Sequence, residues 1–390
     1  MSSKIKNAIN NYSVIILDGS NGDFTVNATM SFSGKSNKTI VGVNNARLCT
    51  KFYITPEIKE ALDAADVKSK SSSSGTGGTL SNGTSVSEAR ELATRQTLID
   101  YLGDSSESYQ KAGIFGFSNC TNIIMRNIVF VGPGPCDVGG NDLLSLVGSK
   151  HFWVDHCEFT DGIDGNFDIT KSSDFNTVSW CTFSYTDRAY DHMNSNLIGS
   201  SDSENAAYLN TTMASNVWGN KCNQRMPMAR AGNIHLVNNY YNCPGNSVAV
   251  NPRKNSEFLV ENCYFASGVK PFSQSGALSY LFIDCYTEDT YTFQKSGSTT
   301  VPYTYSKFDA QLVPEQLTQF AGATLTSPLV IGRESENVTP VSVIAANSDV
   351  ISVEYYSLTG KRISEPTKGI NIVRTIYTNG NVTTQKVLVK

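Results

Sequence analysis

The feature that most constrains the fold is a repeat in the middle of the chain, with intervals of about 20 to 30 residues and a longer one before Trp218. Short runs of alternating apolar and polar residues recur at these intervals, as in "FWVDHCEF" and "FLVENCYF". Each run closes on an aromatic residue: Phe130, Phe159, Phe183, Tyr241 and Phe265, with Trp218 filling the gap before Tyr241. A period of about 20 to 50 residues is typical of solenoids, and strands this short favour a parallel β-helix over helical repeats.

Cysteines follow the same period. They stand at Cys157, Cys181, Cys222, Cys243, Cys263 and Cys285. Equivalent positions in successive coils of a β-helix stack about 4.8 Å apart, so a cysteine at a repeated position acts as a small buried apolar residue. We therefore predict an all-β fold, a right-handed parallel β-helix, with some of these cysteines in an internal ladder.

The pattern changes near residue 335, which predicts two domains. Residues 1–335 carry the β-helix repeat, interrupted by a low-complexity Ser/Gly-rich segment at 68–85 that we expect to be a mobile loop. A helix is predicted after it, from about Ser87 to Leu102. Residues 336–390 contain hairpin-like segments with the turn signals "TG" and "NG", which predict a small C-terminal β module.

Composition excludes several classes of protein. A net charge of -4 with 17% charged residues, and no basic stripe, argues against nucleic acid as a partner. No run approaches about 18 apolar residues, which predicts no membrane span, and the polar start "MSSKIKN" predicts no signal peptide in this sequence. The nine cysteines lack the paired CxxC spacing of a zinc site.

The stretch "DGIDGNFDI" concentrates negative charge without a basic residue. Asp161, Asp164 and Asp168 lie within eight positions. A metal ion and a solvated loop are both compatible with this stretch alone. Residues four apart in a straight strand would be roughly 13 Å apart, so a shared ion requires a bend between Asp164 and Asp168, which Gly165 and Asn166 permit.

Further polar motifs break the apolar alternation of the middle coils. They are "GGNDLL", "WVDHCEF", "DGIDGNFD", "TDR" and "QRMPMARAG". Together they resemble, in order from about Gly113 to Phe265, the pectate lyases of polysaccharide lyase family 1. The resemblance is specific because it rests on several separate motifs.

The resemblance implies a calcium site. The aspartate eleven positions before Trp153 of the "WxDH" motif is Asp142, and the family's "DGxxD" motif corresponds to Asp164 and Asp168. Ca²⁺ prefers six to eight hard oxygen ligands, which suits three carboxylates completed by water and substrate. Asp161 is expected to belong to a solvated loop, and the acid and histidine of "WVDHC" are expected to be structural.

The resemblance also implies a set of arginines. The "RxPxxR" motif is matched by Arg225 and Arg230, and the first arginine is the family's proposed catalytic base. Arg188 of "TDR" stands where the family has a lysine. We expect Arg188 and Arg230 to bind substrate carboxylates, for which the planar guanidinium is well shaped. The extra residues "AYDHMNSN" after Arg188 leave open a plain surface salt bridge for it instead.

The implied activity is calcium-dependent β-elimination in polygalacturonate, by a secreted or extracytoplasmic enzyme acting as a monomer. The C-terminal module resembles β modules of exported bacterial proteins, some of which act as sorting signals. Arginine in place of lysine also resembles pectin lyases, which act on methyl-esterified chains without metal. A noncatalytic carbohydrate-binding β-solenoid is a further alternative. Polygalacturonase hydrolases are disfavoured because their "NTD", "GHG" and "RIK" signatures do not occur.

Overall fold

The structure is a computed structural model that describes residues 1–65, 85–329, 350–357, 362–377 and 382–389. The chain folds as two compact units, Met1–Leu329 and Val330–Lys390. The boundary predicted near residue 335 lies outside the described residues, as does the predicted mobile loop except for Ser85.

Three parallel sheets form the first unit. The first sheet contains β1 Val14–Asp18, β4 Ser36–Val43, β7 Thr121–Arg126, β10 Lys150–Asp155, β13 Asn176–Ser179, β16 Thr211–Ala214, β19 Gly232–Val237, β22 Ser256–Glu261 and β24 Ser279–Ile283. The second contains β2 Phe24–Val26, β5 Arg47–Thr50, β8 Val129–Val131, β11 Glu158–Thr160, β14 Thr182–Ser184, β17 Val217–Trp218, β20 Tyr240–Tyr241, β23 Tyr264–Phe265 and β25 Tyr286–Thr287. The third contains β3 Met30–Ser33, β6 Phe115–Ser118, β9 Leu144–Val147, β12 Phe167–Thr170, β15 Leu197–Ile198, β18 Met228–Ala229 and β21 Asn251–Pro252.

Each full coil adds one strand to each of the three sheets in turn. Neighbouring strands in a sheet come from successive coils and pair in parallel, so that Phe159 lies between Phe130 and Phe183. Parallel crossover connections of this kind are right-handed in nearly all proteins. The predicted fold class, a right-handed parallel β-helix, is therefore confirmed.

Stacked rings fill the interior beside the second sheet. The predicted aromatic positions form one column of parallel rings, with centroid separations of 4.7 Å from Phe130 to Phe159 and 4.9 Å from Trp218 to Tyr241. Cys157, Cys181 and Cys263 are buried free thiols in a second column. Both columns follow from a repeat that places the same residue type at the same point of each coil.

Helices cover the ends and sides of the coils. They are α1 Ser2–Asn11, α2 Pro56–Ala64, α3 Val86–Leu102 and α4 Val313–Phe320. Ile5 and Ile9 of α1 are buried in the same core as the first coil. The helix predicted from Ser87 begins at Val86, because the Ser85 hydroxyl caps it by accepting from the Glu88 N–H at 3.1 Å. Helices α2 and α3 belong to one insertion between β5 and β6.

Residues 299–329, here called the return segment, run back across the first sheet. Asparagines at the corners of several coils adopt left-handed conformations and bind it. The Asn262 amide donates to the Phe308 carbonyl at 2.7 Å, and the Asn127 amide donates to the Leu325 carbonyl at 3.2 Å. The return segment therefore contacts coils that are far apart along the solenoid.

The second unit contains a four-stranded antiparallel sheet of β26 Val350–Tyr356, β27 Arg362–Ile363, β28 Gly369–Tyr377 and β29 Val382–Val389. These strands agree with the hairpin-like pattern, whereas both turn dipeptides lie outside the described residues. No helix in the described part of the chain is long and apolar enough to cross a membrane.

Candidate active site

Two of the predicted calcium ligands meet at the third sheet. Asp168 lies in β12 and pairs in register with Ser145 of β9 on the neighbouring coil. The Ser145 hydroxyl donates to Asp142 Oδ2 at 3.1 Å, and the Leu197 N–H donates to Asp168 Oδ1 at 2.9 Å. The stacking of coils thus brings together two carboxylates that are 26 positions apart in sequence.

Gly165 lies between these carboxylates. A Cβ atom on Gly165 would stand 2.7 Å from Asp142 Oδ1 and 3.4 Å from Asp168 Oδ1. Any side chain there would occupy the space that the two carboxylate oxygens face. A side chain at Gly165 would displace the Asp142 carboxylate, so the glycine of the "DGNFD" motif favours the close approach of the two acids.

Asp164 joins the same group and is held by a histidine. His192 Nε2 lies 2.8 Å from Asp164 Oδ1. Burial opposes protonation of the imidazole, but the hydrogen bond and charge of Asp164 outweigh it, so the pKa of His192 lies above its ordinary value. His192 was missed by sequence reasoning, although it stands in the extra stretch "AYDHMNSN" that follows "TDR".

The electrostatics show that the three aspartates share one environment. Burial, together with the charges of Asp168 and Asp164, raises the pKa of Asp142 well above its usual range. Burial raises the pKa of Asp168 to about 7, the charge of Arg225 opposes this rise, and the charge of Asp164 adds to it. The protein keeps these acids together against their mutual repulsion, with Arg225 as an opposing charge.

Arg225 lies on the connection just before β18, two coils beyond Asp168. Its backbone is left-handed, with φ of 60°, and its carbonyl accepts from the Asn196 N–H at 2.6 Å. Burial and the charge of Arg225 lower the pKa of Arg230, which forms an ion pair with Asp202 at 3.2 Å. Arg225 therefore lies close enough to act on both the aspartate group and Arg230.

Arg188 occupies a different place. Its guanidinium lies 4.1 Å from the centre of the Tyr53 ring, and its Nη1 lies 3.6 Å from Asp161 Oδ2. The structure does not bring it together with the three aspartates. Instead, Asn194 forms a bridge in register with Gly165 and Gln224, and its buried Oδ1 has no hydrogen-bond partner. The amide nitrogen of Asn194 lies 3.1 Å from His192 Nε2, the atom that also contacts Asp164.

The remaining acids of the motifs have structural partners. Buried Asp161 accepts from both the N–H and the hydroxyl of Thr186, at 2.7 and 2.6 Å. Asp161 is therefore a buried group that joins two neighbouring coils, and the expectation that it belongs to a solvated loop was wrong. Asp155 binds the Arg126 guanidinium at 2.9 Å and the His156 ring at 2.8 Å. This agrees with the structural role expected for the acid and histidine of "WVDHC".

Three carboxylates form the donor set that is available to a calcium ion. Among the described residues, no three acidic, histidine or cysteine side chains surround one point at ligand distances. The donors are nevertheless carboxylate oxygens, the type that Ca²⁺ prefers, and Ca²⁺ draws several further ligands from water and carbonyl groups. A divalent cation would relieve the repulsion that raises the pKa values of Asp142 and Asp168. The chemistry of these donors therefore suits calcium, although the three side chains do not surround one point at ligand distances.

Sequence comparison decides the family. The chain matches the family profile described as pectate lyase over residues 68–326, which is more than half of its 390 residues. The chain belongs to the pectate lyase family. All six predicted site residues lie within the matched region.

Individual relatives extend this result. Pectate lyase A of Aspergillus niger is 31% identical over 216 residues, covering 53% of this chain and 63% of the relative. The pectate trisaccharide-lyase of Thermotoga maritima is 42% identical over 130 residues, covering 31% of this chain and 33% of the relative. Probable pectate lyase B of Aspergillus terreus is 33% identical over 177 residues, covering 42% and 50%. The chain thus spans less than two thirds of the length of each relative.

Solved structures support the fold. A pectate lyase from Bacillus sp. N165, in complex with trigalacturonate, has a TM-score of 0.54 at 19% identity and covers 82% of this chain and 91% of its own. A pectate lyase double mutant from Xanthomonas campestris has a TM-score of 0.52 at 18% identity and covers 83% and 92%. At these identities the likeness concerns the β-helix itself.

Proposed function

We propose that this member of the pectate lyase family is a calcium-dependent enzyme that cleaves polygalacturonate by β-elimination and releases 4,5-unsaturated oligogalacturonides. The observation that carries the proposal is the close approach of Asp142 and Asp168 on either side of Gly165, where the charges of Asp164 and Arg225 also act. A noncatalytic carbohydrate-binding solenoid would not need the basic residues Arg225 and Arg230 beside the acids.

Arg225 is proposed as the base. β-Elimination transfers the C5 proton of a galacturonate residue to the base, forms the C4–C5 double bond and breaks the C4–O bond, and the oxygen of the leaving sugar takes a proton from solvent. Because C5 lies α to a carboxylate, negative charge builds on that carboxylate as the proton leaves, and fixed positive charge stabilises it. Arg230, which the charge of Arg225 reaches, is proposed to bind a neighbouring uronate carboxylate.

Asp142, Asp164 and Asp168 are proposed to hold the calcium ion. When bound, the ion would supply positive charge beside the substrate and lower the energy of the negative charge that develops on it. The residues of the protein supply its position: Ser145 and the Leu197 N–H orient two of the carboxylates, and His192 orients the third.

The names of the relatives support proposals about the substrate and the location of the protein. The relatives carry the names of pectate lyases and a pectate trisaccharide-lyase, and one structural relative was solved with trigalacturonate. We propose that the protein acts outside the cytoplasm as a monomer, since a plant polymer is not taken up intact. Residues 1–335 are proposed as the catalytic domain and residues 336–390 as a separate β module.

Incubation with polygalacturonate and calcium is the test. We expect rising ultraviolet absorbance from the unsaturated product, and its loss on addition of a chelator. Reducing ends without absorbance would indicate hydrolysis and contradict the proposal. Equal activity with a chelator, greatest on highly methyl-esterified pectin, would indicate a pectin lyase type of site.

Arg188 provides a separate prediction. Because its guanidinium already faces Asp161 and Tyr53, we expect Arg188→Ala to lower turnover by less than about fivefold, the scale of an exposed ion pair. The measurement is the initial rate of absorbance increase at saturating polygalacturonate. A loss of about 100-fold or more would show that Arg188 does reach the substrate, as the family motif implies.

A further inference from the structure

We propose that Arg90, on the helical insertion, is a positioning residue for the calcium ligand Asp164 and acts through Asp191 and His192. This inference rests on the proposed function. It makes the insertion between β5 and β6 a part of the active site and gives this chain a support for its calcium site that lies outside the β-helix coils.

The insertion packs directly on the connections that carry the site. Its helices α2 and α3 share one buried apolar cluster with three such connections. The members from the insertion include Ile58, Leu62 and Leu98, and those from the connections include Cys136, Ile163 and Tyr190. Ile163 immediately precedes Asp164, and Tyr190 lies two residues before His192. The apolar contact therefore fixes both segments that must meet at the site.

An ion pair also joins helix α3 to the connection that bears His192. The Arg90 guanidinium of α3 forms an ion pair with Asp191 Oδ2, and both side chains are largely buried. The other oxygen of Asp191 accepts from the Asp137 N–H at 3.0 Å. The Tyr190 N–H donates to the Pro135 carbonyl at 3.1 Å. Asp191 thus joins the helix to two neighbouring connections at one point.

His192, the residue after Asp191, contacts Asp164 and so links the Arg90–Asp191 ion pair to the site. Its backbone is left-handed, with φ of 59°. The Asp191 side chain contacts Arg90, whereas the His192 side chain contacts Asp164. The imidazole Nε2 reaches Asp164 Oδ1 at 2.8 Å, while Nδ1 lies 3.8 Å from Asp137 Oδ1. One oxygen of Asp164 is therefore directed by the imidazole, and the other is left for a ligand. Groups that orient metal ligands in this way typically change metal affinity by about 10- to 100-fold when they are removed.

Loss of Arg90 would act through this chain of contacts. Without the guanidinium, Asp191 keeps its negative charge in a largely buried place with only a backbone donor. The connection bearing His192 would then lose its charged anchor to α3. Asp164 would spend more time away from the geometry that it needs beside Asp142 and Asp168, and calcium binding would weaken.

The experiment measures calcium binding on the full chain. The melting temperature is recorded in EDTA and across a CaCl₂ series for the wild type, Arg90→Met and Asp187→Asn. Asp187 is a matched control, because its exposed carboxylate pairs with Lys221 at 2.5 Å in the same connection but has no contact with His192. We expect Arg90→Met to raise the half-saturating calcium concentration by about tenfold and Asp187→Asn to leave it unchanged.

Further variants separate positioning from stability. Arg90→Lys should restore part of the calcium response, and Arg90→Met combined with His192→Gln should weaken binding no more than His192→Gln alone. If Arg90→Met does not fold, Asp191→Asn breaks the same ion pair from the other side. If Arg90→Met lowers the melting temperature in EDTA but leaves the half-saturating calcium concentration unchanged, the positioning role of Arg90 is overturned while the proposed calcium site stands. No calcium response in the wild type would overturn the proposed calcium site as well.

Discussion

Arg225→Ala is expected to lower turnover of polygalacturonate by about 10²- to 10⁴-fold, the usual contribution of a positioned acid or base. We expect this loss because Arg225 lies beside the proposed calcium ligands, where its charge lowers the pKa of both Asp142 and Asp168. The measurement is the rate of product absorbance at saturating substrate and calcium. Arg225→Lys keeps a positive charge beside the acids, so it should preserve the fold while turnover stays low.

Arg47→Ala is the control for this experiment. It removes an exposed arginine that pairs with Asp23 at 3.3 Å near the first coils, far in sequence from the site. We expect wild-type turnover from it. If Arg225→Ala retains more than about a tenth of wild-type turnover with a normal melting temperature, the guanidinium is not the base, and another group must take the C5 proton.

Asp168→Asn is expected to raise stability without calcium and to abolish the response to calcium. Asparagine keeps an oxygen that accepts from the Leu197 N–H but removes a charge that the neighbouring acids oppose. In EDTA at pH 8 we expect the melting temperature to rise by about 2 °C or more. Added CaCl₂ should then stabilise the wild type and leave the variant unchanged.

The sign of the pH dependence follows from the raised pKa of Asp168. Its carboxyl loses its proton near pH 3.8 in the unfolded chain but near about 7 in the folded one. The folded state therefore binds the proton more tightly, and stability without calcium declines as pH rises from about 4 to about 7. Asp168→Asn should flatten this decline. A calcium-dependent rise in melting temperature in the variant, equal to that of the wild type, would contradict the assignment of Asp168 as a ligand.

The sequence contained enough information to predict the coils. Phe159 and Phe183 stand at equivalent positions because each coil is packed on the next, and packing imposes a period that can be read from residue types. The insertion has no such period, because α2 and α3 cover one side of the coils and do not repeat, and only α3 was predicted, from its own apolar spacing.

The site was predictable to the extent that it is carried by motifs. The charges of Asp168 and Arg225 influence the pKa of Asp142, and their roles as calcium ligand and base remain predictions from the motifs. The position of Arg188 could not be read in the same way, since the connection between β14 and β15 is long and its path depends on packing against the insertion. The same length hid His192, whose partner Asp164 lies on the preceding coil.

The return segment changes how this solenoid should lose its structure. A stack of coils that touch only their neighbours can unravel from either end, one coil at a time. Here Phe308 is bound by Asn262 near one end, whereas Leu325 is bound by Asn127 near the other. Release of a terminal coil would also break hydrogen bonds to the return segment, which is bound several coils away as well. The solenoid should therefore melt in a single cooperative transition.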